Sequence, residues 1–521
     1  MPAPDPLPLH SRPRPLDHLI EGGRDATPAL VLKKEVLDRG QLRHRIAWLA
    51  GWLASLELPR GARVASWAAK GELTCLLPLA SARAGLVHVP VNPLLKRIQT
   101  AHILFDSGAR ALIGTRTRLD SLEAADVPAD CTVLDEEEAL AAARMLDAPL
   151  PASSAEPDAL AAILYTSGST GRPKGVMLSH ANLWLGAESV RQYLALVEDD
   201  VVLAVLPLSF DYGQSQVLSA WRAGACVVPL DYLTPRDVTR ACARHGVTTL
   251  AAVPPLWHQL MEHEWPPEAV APLRRLTNSG GALTRPLVHK LRRTFPQARL
   301  FAMYGLTEAF RSTFLDPALI DEHPTAIGGP VPFAEVLVVN DTGGLAAPGE
   351  EGELVHCGPL VAQGYWDDPA RTAERFRPAP AQSYYGGTAV WSGDRVVRDE
   401  AGLLHFVGRR DAMIKSAGNR ISPEEIEEAA LATGLVAEAV AIGVPDERLG
   451  EVVHLAVRGL AGAAEEQALR VALKRELPNF MQPQAICRVE ALPLGPNGKI
   501  DRAALRHAAL PEQRLREGAP R

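Results

Sequence analysis

A glycine-rich segment between an apolar run and a lysine restricts the fold of this chain more than any other stretch. Positions 163–180 read ILYTSGSTGRPKGVMLSH. Glycines lack a Cβ atom, so several backbone N–H groups can turn toward one anion, and hydroxyls and a lysine add donors and charge. The segment therefore predicts a phosphate-holding loop after a buried strand. Its residues are Thr166, Ser167, Gly168, Ser169, Thr170, Gly171 and Lys174.

This loop differs from the common nucleotide P-loop, whose pattern is G-x-x-x-x-G-K-[ST]. Pro173 precedes the lysine here and Gly175 follows it. A flexible surface loop is the alternative interpretation. A loop so dense in Gly, Ser and Thr seldom lies directly between a buried strand and a lysine, which favours phosphate binding.

The length of 521 residues is too great for one hydrophobic core, so we expect two or more domains. A net charge of −7 and an aromatic content of 5% argue against a nucleic-acid or anionic-membrane binder. The six cysteines form no C-x-x-C pair, which indicates a reducing cytoplasm rather than a disulfide framework. No signal-peptide core or membrane-spanning apolar run is visible, so we expect a cytoplasmic protein without membrane insertion.

Short apolar runs alternate with helical patterns, which predicts βαβ units around mostly parallel sheets. In the first 150 residues, 63–67 and 85–91 are predicted strands and 73–84 a helix. Further on, a helix is predicted over 178–194 with Ser179 as N-cap, and a strand over 201–208.

Asp211 follows that second apolar strand, in the sequence Pro207-Leu208-Ser209-Phe210-Asp211. An acidic residue at the end of a strand and before an apolar helix is at a usual place for ligand binding. It can equally be a cap of the helix that follows. The residues alone leave both interpretations open.

Seven further short motifs follow the first loop along the chain. They are Asn278-Ser279-Gly280-Gly281, Met303-Tyr304-Gly305-Leu306-Thr307-Glu308, Gln363-Gly364-Tyr365-Trp366, Trp391-Ser392-Gly393-Asp394, Gly408-Arg409-Arg410-Asp411, Gly418-Asn419-Arg420-Ile421 and Pro496-Asn497-Gly498-Lys499. In this order, with the first loop, they closely resemble the adenylate-forming superfamily of acyl-CoA synthetases, nonribosomal adenylation domains and luciferases. The stretches 207–216 and 231–237 also resemble the acyl-CoA ligases of exosortase systems.

The resemblance implies a role for each nucleotide-side residue. Tyr304 is expected to stack on adenine beside Gly280, Gly281 and Gly305, and Asp394 and Arg409 to hold the ribose. Thr307 is expected to bind the α-phosphate, Glu308 to hold Mg²⁺, and Lys499 to bridge the attacking carboxylate and the α-phosphate as the catalytic lysine. Two positions depart from the family pattern, because Ser392 and Gly495 stand where threonine is usual.

The same resemblance places the acyl substrate. Many acyl-CoA synthetases have a histidine where this chain has Phe210-Asp211, whereas amino-acid-activating domains have an aspartate that pairs with the α-ammonium. A carboxylate in a pocket built for an alkyl tail would lose solvation without gaining a partner. Arg311 suits a distal carboxylate or another acceptor, although pairing with surface acids or with Asp211 is an alternative. The remaining expected pocket residues are Tyr212, Ser215, Ser279 and Met303.

The implied fold is a large N-terminal α/β domain (1–408) with mostly parallel sheets and a β-rich subdomain. A small mobile α+β C-terminal domain (409–521) is expected to follow, with its hinge near Asp411 and with Gly418 and Arg420 on a thioester-forming loop. The implied reaction uses ATP and Mg²⁺ to make an acyl-adenylate, then transfers the acyl group to CoA or a phosphopantetheinyl carrier protein. Alternatives are a medium- or long-chain or aryl acyl-CoA ligase, an acyl-AMP ligase, and a catalytically silent nucleotide-binding regulator.

Overall fold

The protein is described by a computed structural model. It covers residues 12–166, 173–281, 283, 285–409, 414–416, 418–421, 423–493, 502 and 504–509. The first part contains strands β1 Pro28–Val31, β2 Val36–Asp38, β3 Arg63–Trp67, β4 Val87–Pro90, β5 Ala109–Gly114, β6 Thr132–Asp135, β7 Leu160–Thr166 and β8 Lys174–Ser179. Its helices are α1 Arg39–Ser55, α2 Glu72–Arg83, α3 Arg97–Ser107, α4 Arg116–Leu119 and α5 Glu136–Leu146.

Six of these strands form one sheet in the order β6-β5-β3-β4-β7-β8. All pairs are parallel except β7 with β8, whose register joins Thr166 to Lys174. Strand β3 has the predicted bounds, and α2 is shifted by one residue from the prediction. The glycine-rich segment thus connects the two strands of an antiparallel hairpin.

A second, 14-stranded sheet occupies the middle of the chain. Its further strands are β9 Val201–Ala204, β10 Cys226–Pro229, β11 Thr249–Ala252, β12 Arg275–Asn278, β13 Arg299–Tyr304, β14 Thr313–Phe314, β15 Ala326–Pro330, β16 Glu335–Val339, β17 Glu351–Cys357, β18 Phe376–Pro378, β19 Thr388–Arg398 and β20 Leu404–Arg409. The helices of this region are α6 His180–Leu194, α7 Asp211–Ala223, α8 Pro235–His245, α9 Pro254–Met261, α10 Pro267–Val270, α11 Arg285–Thr294 and α12 Pro369–Arg375.

The strands of this sheet run β16-β17-β19-β20-β15-β14-β13-β12-β11-β9-β10-β1-β2, with β18 beside β19. From β1 to β13 the inner pairs are parallel, whereas β13 to β20 are antiparallel. Helix α6 begins two residues later than predicted, because Ser179 is its N-cap and its Oγ accepts from the Asn182 backbone N–H at 3.1 Å. One apolar core cluster extends from Leu16 to Val390.

The last part forms a small sheet of its own. It contains β21 Ile414–Ser416, β22 Asn419–Ile421, β23 Glu438–Asp446, β24 Gly450–Arg458 and β25 Ala485–Arg488, with helices α13 Pro423–Ala432 and α14 Ala463–Glu476. A separate apolar cluster, from Ile414 to Met481, lies beneath it. The predicted fold class, a large α/β part with a small C-terminal α+β part, is confirmed. The limits 1–408 and 409–521 stay a prediction.

Five short 3₁₀ helices complete the described secondary structure. They are Leu16–Ile20, Ala124–Asp126, Thr307–Ala309, Pro317–Leu319 and Asn479–Met481. Of the helices described, none has the length and apolar character needed to cross a bilayer.

The burial of three histidines predicts how the free energy of unfolding depends on pH. Burial lowers the pKa of His88 and of His356 to about 3, and that of His180 to about 4. An unfolded histidine titrates near pH 6.5, so below that pH only the unfolded chain takes up these protons. The contribution of these histidines to the free energy of unfolding is therefore fully present above pH 6.5. It decreases as the pH falls toward 4. We expect each histidine to remove about 1.4 kcal/mol of unfolding free energy per pH unit in this window.

Urea unfolding between pH 7.5 and 5 measures this slope. A His356→Asn variant should show a shallower pH dependence than the parent. As a control, His289→Gln changes an exposed histidine and should leave the slope unaltered. An equal slope in the parent and in His356→Asn would contradict the interpretation.

Candidate active site

A cavity of about 500 Å³ opens at the carboxyl ends of parallel strands from both large sheets. Residues that follow β4, β7, β9, β12 and β13 form its walls. This edge of an open α/β sheet is the usual place for a ligand, because loops and helix N-termini converge there. The predicted site residues that line the cavity are Thr166, Lys174, Asp211, Ser279, Gly280, Gly305, Thr307, Glu308, Arg311 and Gly418.

Lys174, Glu308 and Tyr365 form a hydrogen-bonded cluster at this cavity. Lys174 Nζ donates to the Tyr365 hydroxyl at 2.6 Å, and that hydroxyl donates to Glu308 Oε1 at 2.7 Å. Lys174 Nζ lies 3.3 Å from the same carboxylate oxygen. Burial, followed by the charge of Glu308, raises the pKa of Tyr365, so its hydroxyl stays protonated. The two charged residues are thus held together at one place.

The segment that carries Tyr365 is attached along strand β8. The Trp366 backbone N–H donates to Gly175 O at 2.8 Å, and the Met177 N–H donates to Gly364 O at 2.9 Å. A Cβ atom at Gly175 would lie 2.5 Å from Ile163 Cγ2, so only glycine fits there. The sequence predicted no role in the site for this segment. Nothing local in it marks Tyr365 as a partner of two residues from other motifs.

Tyr304 and Asp394, both predicted at the nucleoside end, contact each other. The Tyr304 hydroxyl donates to Asp394 Oδ2 at 2.5 Å. The Asp394 backbone N–H donates to Ser392 Oγ at 3.1 Å, and Ser392 Oγ donates to Leu354 O at 2.6 Å. The serine that replaces the family's threonine therefore keeps a hydroxyl that orients Asp394. Arg409 is the β-ladder partner of Asp394.

Three glycines near the cavity are constrained either by a positive φ angle or by close neighbours. Gly280 has φ +78°, and a Cβ atom there would lie 3.4 Å from Val253. A Cβ atom at Gly305 would lie 3.0 Å from Arg311 Cα, tighter than ordinary contacts. Gly281 stands beside Pro254 and its carbonyl accepts from the Asn278 side chain at 2.9 Å.

Asp211 is the first residue of α7, and Phe210 holds the N-cap position. The Asp211 side chain is buried at the cavity wall, with 4% of its surface exposed. A carboxylate in the first turn also complements the helix dipole. The Asp211 carboxylate is therefore positioned both to bind a ligand ammonium and to interact favourably with the N-terminus of α7.

The other predicted pocket residues lie behind the cavity wall. Ser215 Oγ donates to Tyr212 O at 3.0 Å, and the Tyr212 hydroxyl shares a 2.7 Å hydrogen bond with Thr277 Oγ1. Met303 Sδ accepts from the Tyr193 hydroxyl at 3.0 Å. These side chains fix the wall on which Arg311 lies.

The turn between β21 and β22 brings the C-terminal part to the cavity. Gly418 has φ +78°, and a Cβ atom there would lie 2.9 Å from the Val253 side chain. Its carbonyl oxygen is 3.7 Å from where a Gly280 Cβ atom would stand. Away from the cavity, Gln99 Nε2 donates to Glu476 O at 2.8 Å. The turn therefore packs against the N-terminal part at a position that only glycine permits.

Some predicted residues fall outside the described part of the chain, and their roles stay predictions. They are Ser167, Gly168, Ser169, Thr170, Gly171, Asp411 and Lys499. For Arg409 and Arg420 the structure describes the backbone positions, in β20 and β22.

Comparison with known proteins agrees with this geometry. The family model of AMP-binding enzymes matches residues 22–366, and that of their C-terminal domain matches 425–499. An L-proline–[L-prolyl-carrier protein] ligase of Pseudomonas fluorescens is 31% identical over 92% of this chain and 95% of its own. A feruloyl-CoA synthase of Amycolatopsis is 31% identical, with 90% and 93% covered.

Among solved structures, the amide bond synthetase McbA from Marinactinospora thermotolerans aligns with a TM-score of 0.83. It is 26% identical, and the alignment covers 95% of this chain and 99% of that one. The family predicted from the motifs is confirmed. The chain belongs to the AMP-binding enzymes, the ligases of the adenylate-forming superfamily.

Proposed function

We propose that this enzyme activates an amine-bearing carboxylic acid with Mg·ATP and then transfers the acyl group to a phosphopantetheine thiol on CoA or a carrier protein. The observation that carries the proposal is a single cavity lined by groups of three kinds. Lys174 and Glu308 suit phosphates and a cation, Asp211 suits an ammonium, and Gly418 belongs to the C-terminal part. The relatives named above act on a carrier protein and on CoA, which supports a thiol acceptor.

In the first half-reaction a carboxylate oxygen attacks the α-phosphorus of ATP. The new O–P bond forms as the bond to the β-phosphate oxygen breaks, and pyrophosphate leaves with that electron pair. Charge on the phosphate oxygens must be stabilised throughout, which is mainly positioning and electrostatics. Lys174 is proposed to donate to the β- and γ-phosphates when they displace its contact with Glu308. Lys499 is proposed to bridge the carboxylate and the α-phosphate.

The residues present suit a magnesium ion carried in with ATP. Mg²⁺ is usually held by one or two carboxylates together with substrate phosphates and water. No group of three acidic, histidine or cysteine ligands converges within the described chain, and Glu308 supplies one buried carboxylate at the cavity. When bound, the ion would neutralise phosphate charge. Tyr365 keeps Glu308 oriented toward that place through its 2.7 Å hydrogen bond.

In the second half-reaction the thiol sulfur attacks the acyl carbon of the mixed anhydride. A C–S bond forms, the C–O bond to phosphate breaks, and AMP leaves with the electron pair while the thiol proton passes to solvent or a base. Gly418 lines the cavity wall, and we propose that its turn shapes the channel by which the thiol arrives.

ATP–pyrophosphate exchange over matched acids tests the substrate part of the proposal. Each amino acid is compared with its des-amino counterpart, for example leucine with 4-methylpentanoate. In Asp211→Asn we expect kcat/KM to fall about 10–100-fold for amino acids, because a charge-assisted hydrogen bond is lost. The des-amino acids should change little and provide the internal control.

The outcomes separate the alternatives. Exchange by the unaltered enzyme with alkyl or aryl acids alone would refute the amine-bearing substrate and favour a plain acyl-CoA ligase. Adenylate formation without thioester on either CoA or carrier protein would favour an acyl-AMP ligase. Nucleotide binding with no exchange for any acid would favour the silent regulator.

A further inference from the structure

Buried arginines in this protein show how a guanidinium is normally accommodated. In the described part of the chain, Arg39, Arg275 and Arg311 each have less than a tenth of their surface exposed. Arg39 donates to three main-chain carbonyl oxygens. Arg275 pairs with Asp200 at 2.7 Å and donates to two further carbonyl oxygens. Carboxylates and carbonyls of this kind offset the cost of burying a positive charge.

Arg311 has no such acceptors among the described residues. Its Nη1 donates to Ser279 Oγ at 3.1 Å and its Nη2 to Ser215 Oγ at 3.4 Å. The guanidinium carbon lies 4.7 Å from the centre of the Tyr212 ring, and Nε has no hydrogen-bond partner. No described acidic side chain forms an ion pair with it, so pairing with Asp211 is not seen. The Tyr193 hydroxyl also interacts with the guanidinium. Neutral hydroxyls and a ring face are weaker compensation for a buried positive charge than a carboxylate or a set of carbonyl oxygens.

The backbone before Arg311 is strained in a way that holds this side chain at the cavity. Phe310 has φ 58° and ψ −65°, and the Arg311 N–H donates to Ala309 O at 2.6 Å. This is a γ-turn of the rare positive-φ kind, unfavourable for a bulky residue. The Phe310 ring fills the space at Gly186, where a Cβ atom would lie 2.5 Å from it. On the other side, a Cβ atom at Gly305 would lie 3.0 Å from Arg311 Cα, so the backbone of Gly305 packs close to that residue.

Arg311 also shares a wall with Asp211. Its partner Ser215 is four residues after Asp211 on α7, so both lie on one face of that helix. The cavity wall therefore carries both a carboxylate and a guanidinium whose hydrogen bonds go to neutral hydroxyls. A ligand with an ammonium and an anionic group, in addition to the carboxylate that reacts, matches this pair.

We propose that Arg311 binds a second, distal carboxylate of the substrate, which makes the substrate an amino dicarboxylic acid. This inference rests on the proposed function, because it concerns the acyl pocket of the same adenylation site. The guanidinium receives the acceptor that the protein itself does not supply, in a planar geometry suited to two carboxylate oxygens. The γ-turn at Phe310 and the ring of Tyr212 hold it in place before the substrate arrives.

The test measures pyrophosphate exchange with acids that differ in one group. Aspartate, glutamate and 2-aminoadipate carry both groups, norvaline and norleucine lack the distal carboxylate, and glutarate lacks the amine. We expect the unaltered enzyme to prefer one amino dicarboxylic acid over its monocarboxylic counterpart by at least about 10-fold in kcat/KM. In Arg311→Met this preference should disappear or reverse, because an apolar side chain no longer needs an acceptor.

Arg39→Met is the matched control, since Arg39 is equally buried and its Nε also lacks a partner, but three carbonyl oxygens accept from its Nη atoms. The Arg39→Met variant should be less stable than the parent. It should not change the ratio of kcat/KM between the amino dicarboxylic acid and its monocarboxylic counterpart. If Arg311→Met does not fold, Ser215→Ala and the preference of the unaltered enzyme still test the idea. If no amino dicarboxylic acid of the panel exceeds its monocarboxylic counterpart in kcat/KM, or if Arg311→Met loses activity uniformly, the inference alone is overturned. Absence of exchange with every acid overturns the proposed function and the inference with it.

Discussion

Replacing Glu308 by glutamine is expected to lower the rate of ATP–pyrophosphate exchange by about 10²–10³-fold, the usual cost of removing one preorganised electrostatic group. Glutamine can still accept the hydrogen bond from Tyr365 that the carboxylate accepts at 2.7 Å. It cannot supply negative charge to a cation on the phosphates. The fold should therefore persist while the Mg²⁺ concentration for half-maximal exchange rises.

Glu335→Gln is the control for this variant. Glu335 is also buried, and its carboxylate accepts from Ser383 Oγ at 2.5 Å, but it does not line the cavity. It should leave the Mg²⁺ dependence unchanged. Thermal unfolding and exchange are recorded for both variants over a series of Mg²⁺ concentrations. An unchanged Mg²⁺ curve in Glu308→Gln would show that this carboxylate does not hold the cation.

Replacing Gly418 by alanine is expected to separate the two half-reactions. The residue has φ +78°, and a Cβ atom would lie 2.9 Å from the Val253 side chain. The β21–β22 turn must then move away from the cavity wall, and a displacement of about 1 Å can cost about 100-fold in rate. We expect acyl transfer from a supplied acyl-adenylate to slow by about that factor. Pyrophosphate exchange should stay within about 3-fold, because Lys174 and Glu308 lie on the N-terminal part and the proposed Lys499 belongs to a segment of the chain other than this turn.

Gly434→Ala is the matched control for Gly418→Ala. Gly434 also has positive φ, at +69°, and lies in the same C-terminal part, but nothing stands within 4 Å of a Cβ atom there. It carries the same kind of backbone strain without the contact to Val253. Thioester formation with CoA or a carrier protein is followed by thiol loss and AMP release. A loss of exchange as large as the loss of transfer would contradict a role limited to the second half-reaction.

Local sequence patterns predicted several elements well, because interactions between residues close in the chain determine those elements. The Ser179 cap and strand β3 needed only hydrogen-bonding side chains and apolar spacing. The strand predicted over 201–208 ends at Ala204 instead. Pro207 lacks a backbone N–H, so the chain leaves the ladder and its next residues line the cavity.

The hairpin on either side of the glycine-rich segment was not visible in the sequence. The pattern indicated a loop between a strand and a lysine, and a helix that began at Leu178. Instead, strand β8 covers Lys174–Ser179, because Lys174 pairs with Thr166 of strand β7. Cross-strand pairing depends on which backbone lies alongside, and a single-strand pattern of apolar residues does not record it.

The amino-acid sequence by itself determined the family, the order of the motifs and the residue types that suit phosphates, a cation and an ammonium. Each of these depends on local chemistry that the chain carries wherever it folds. Only the tertiary structure placed Tyr365 between Lys174 and Glu308, and only it showed that the buried Arg311 meets two hydroxyls rather than an acid. Those facts depend on distances between residues far apart in the chain, which packing decides.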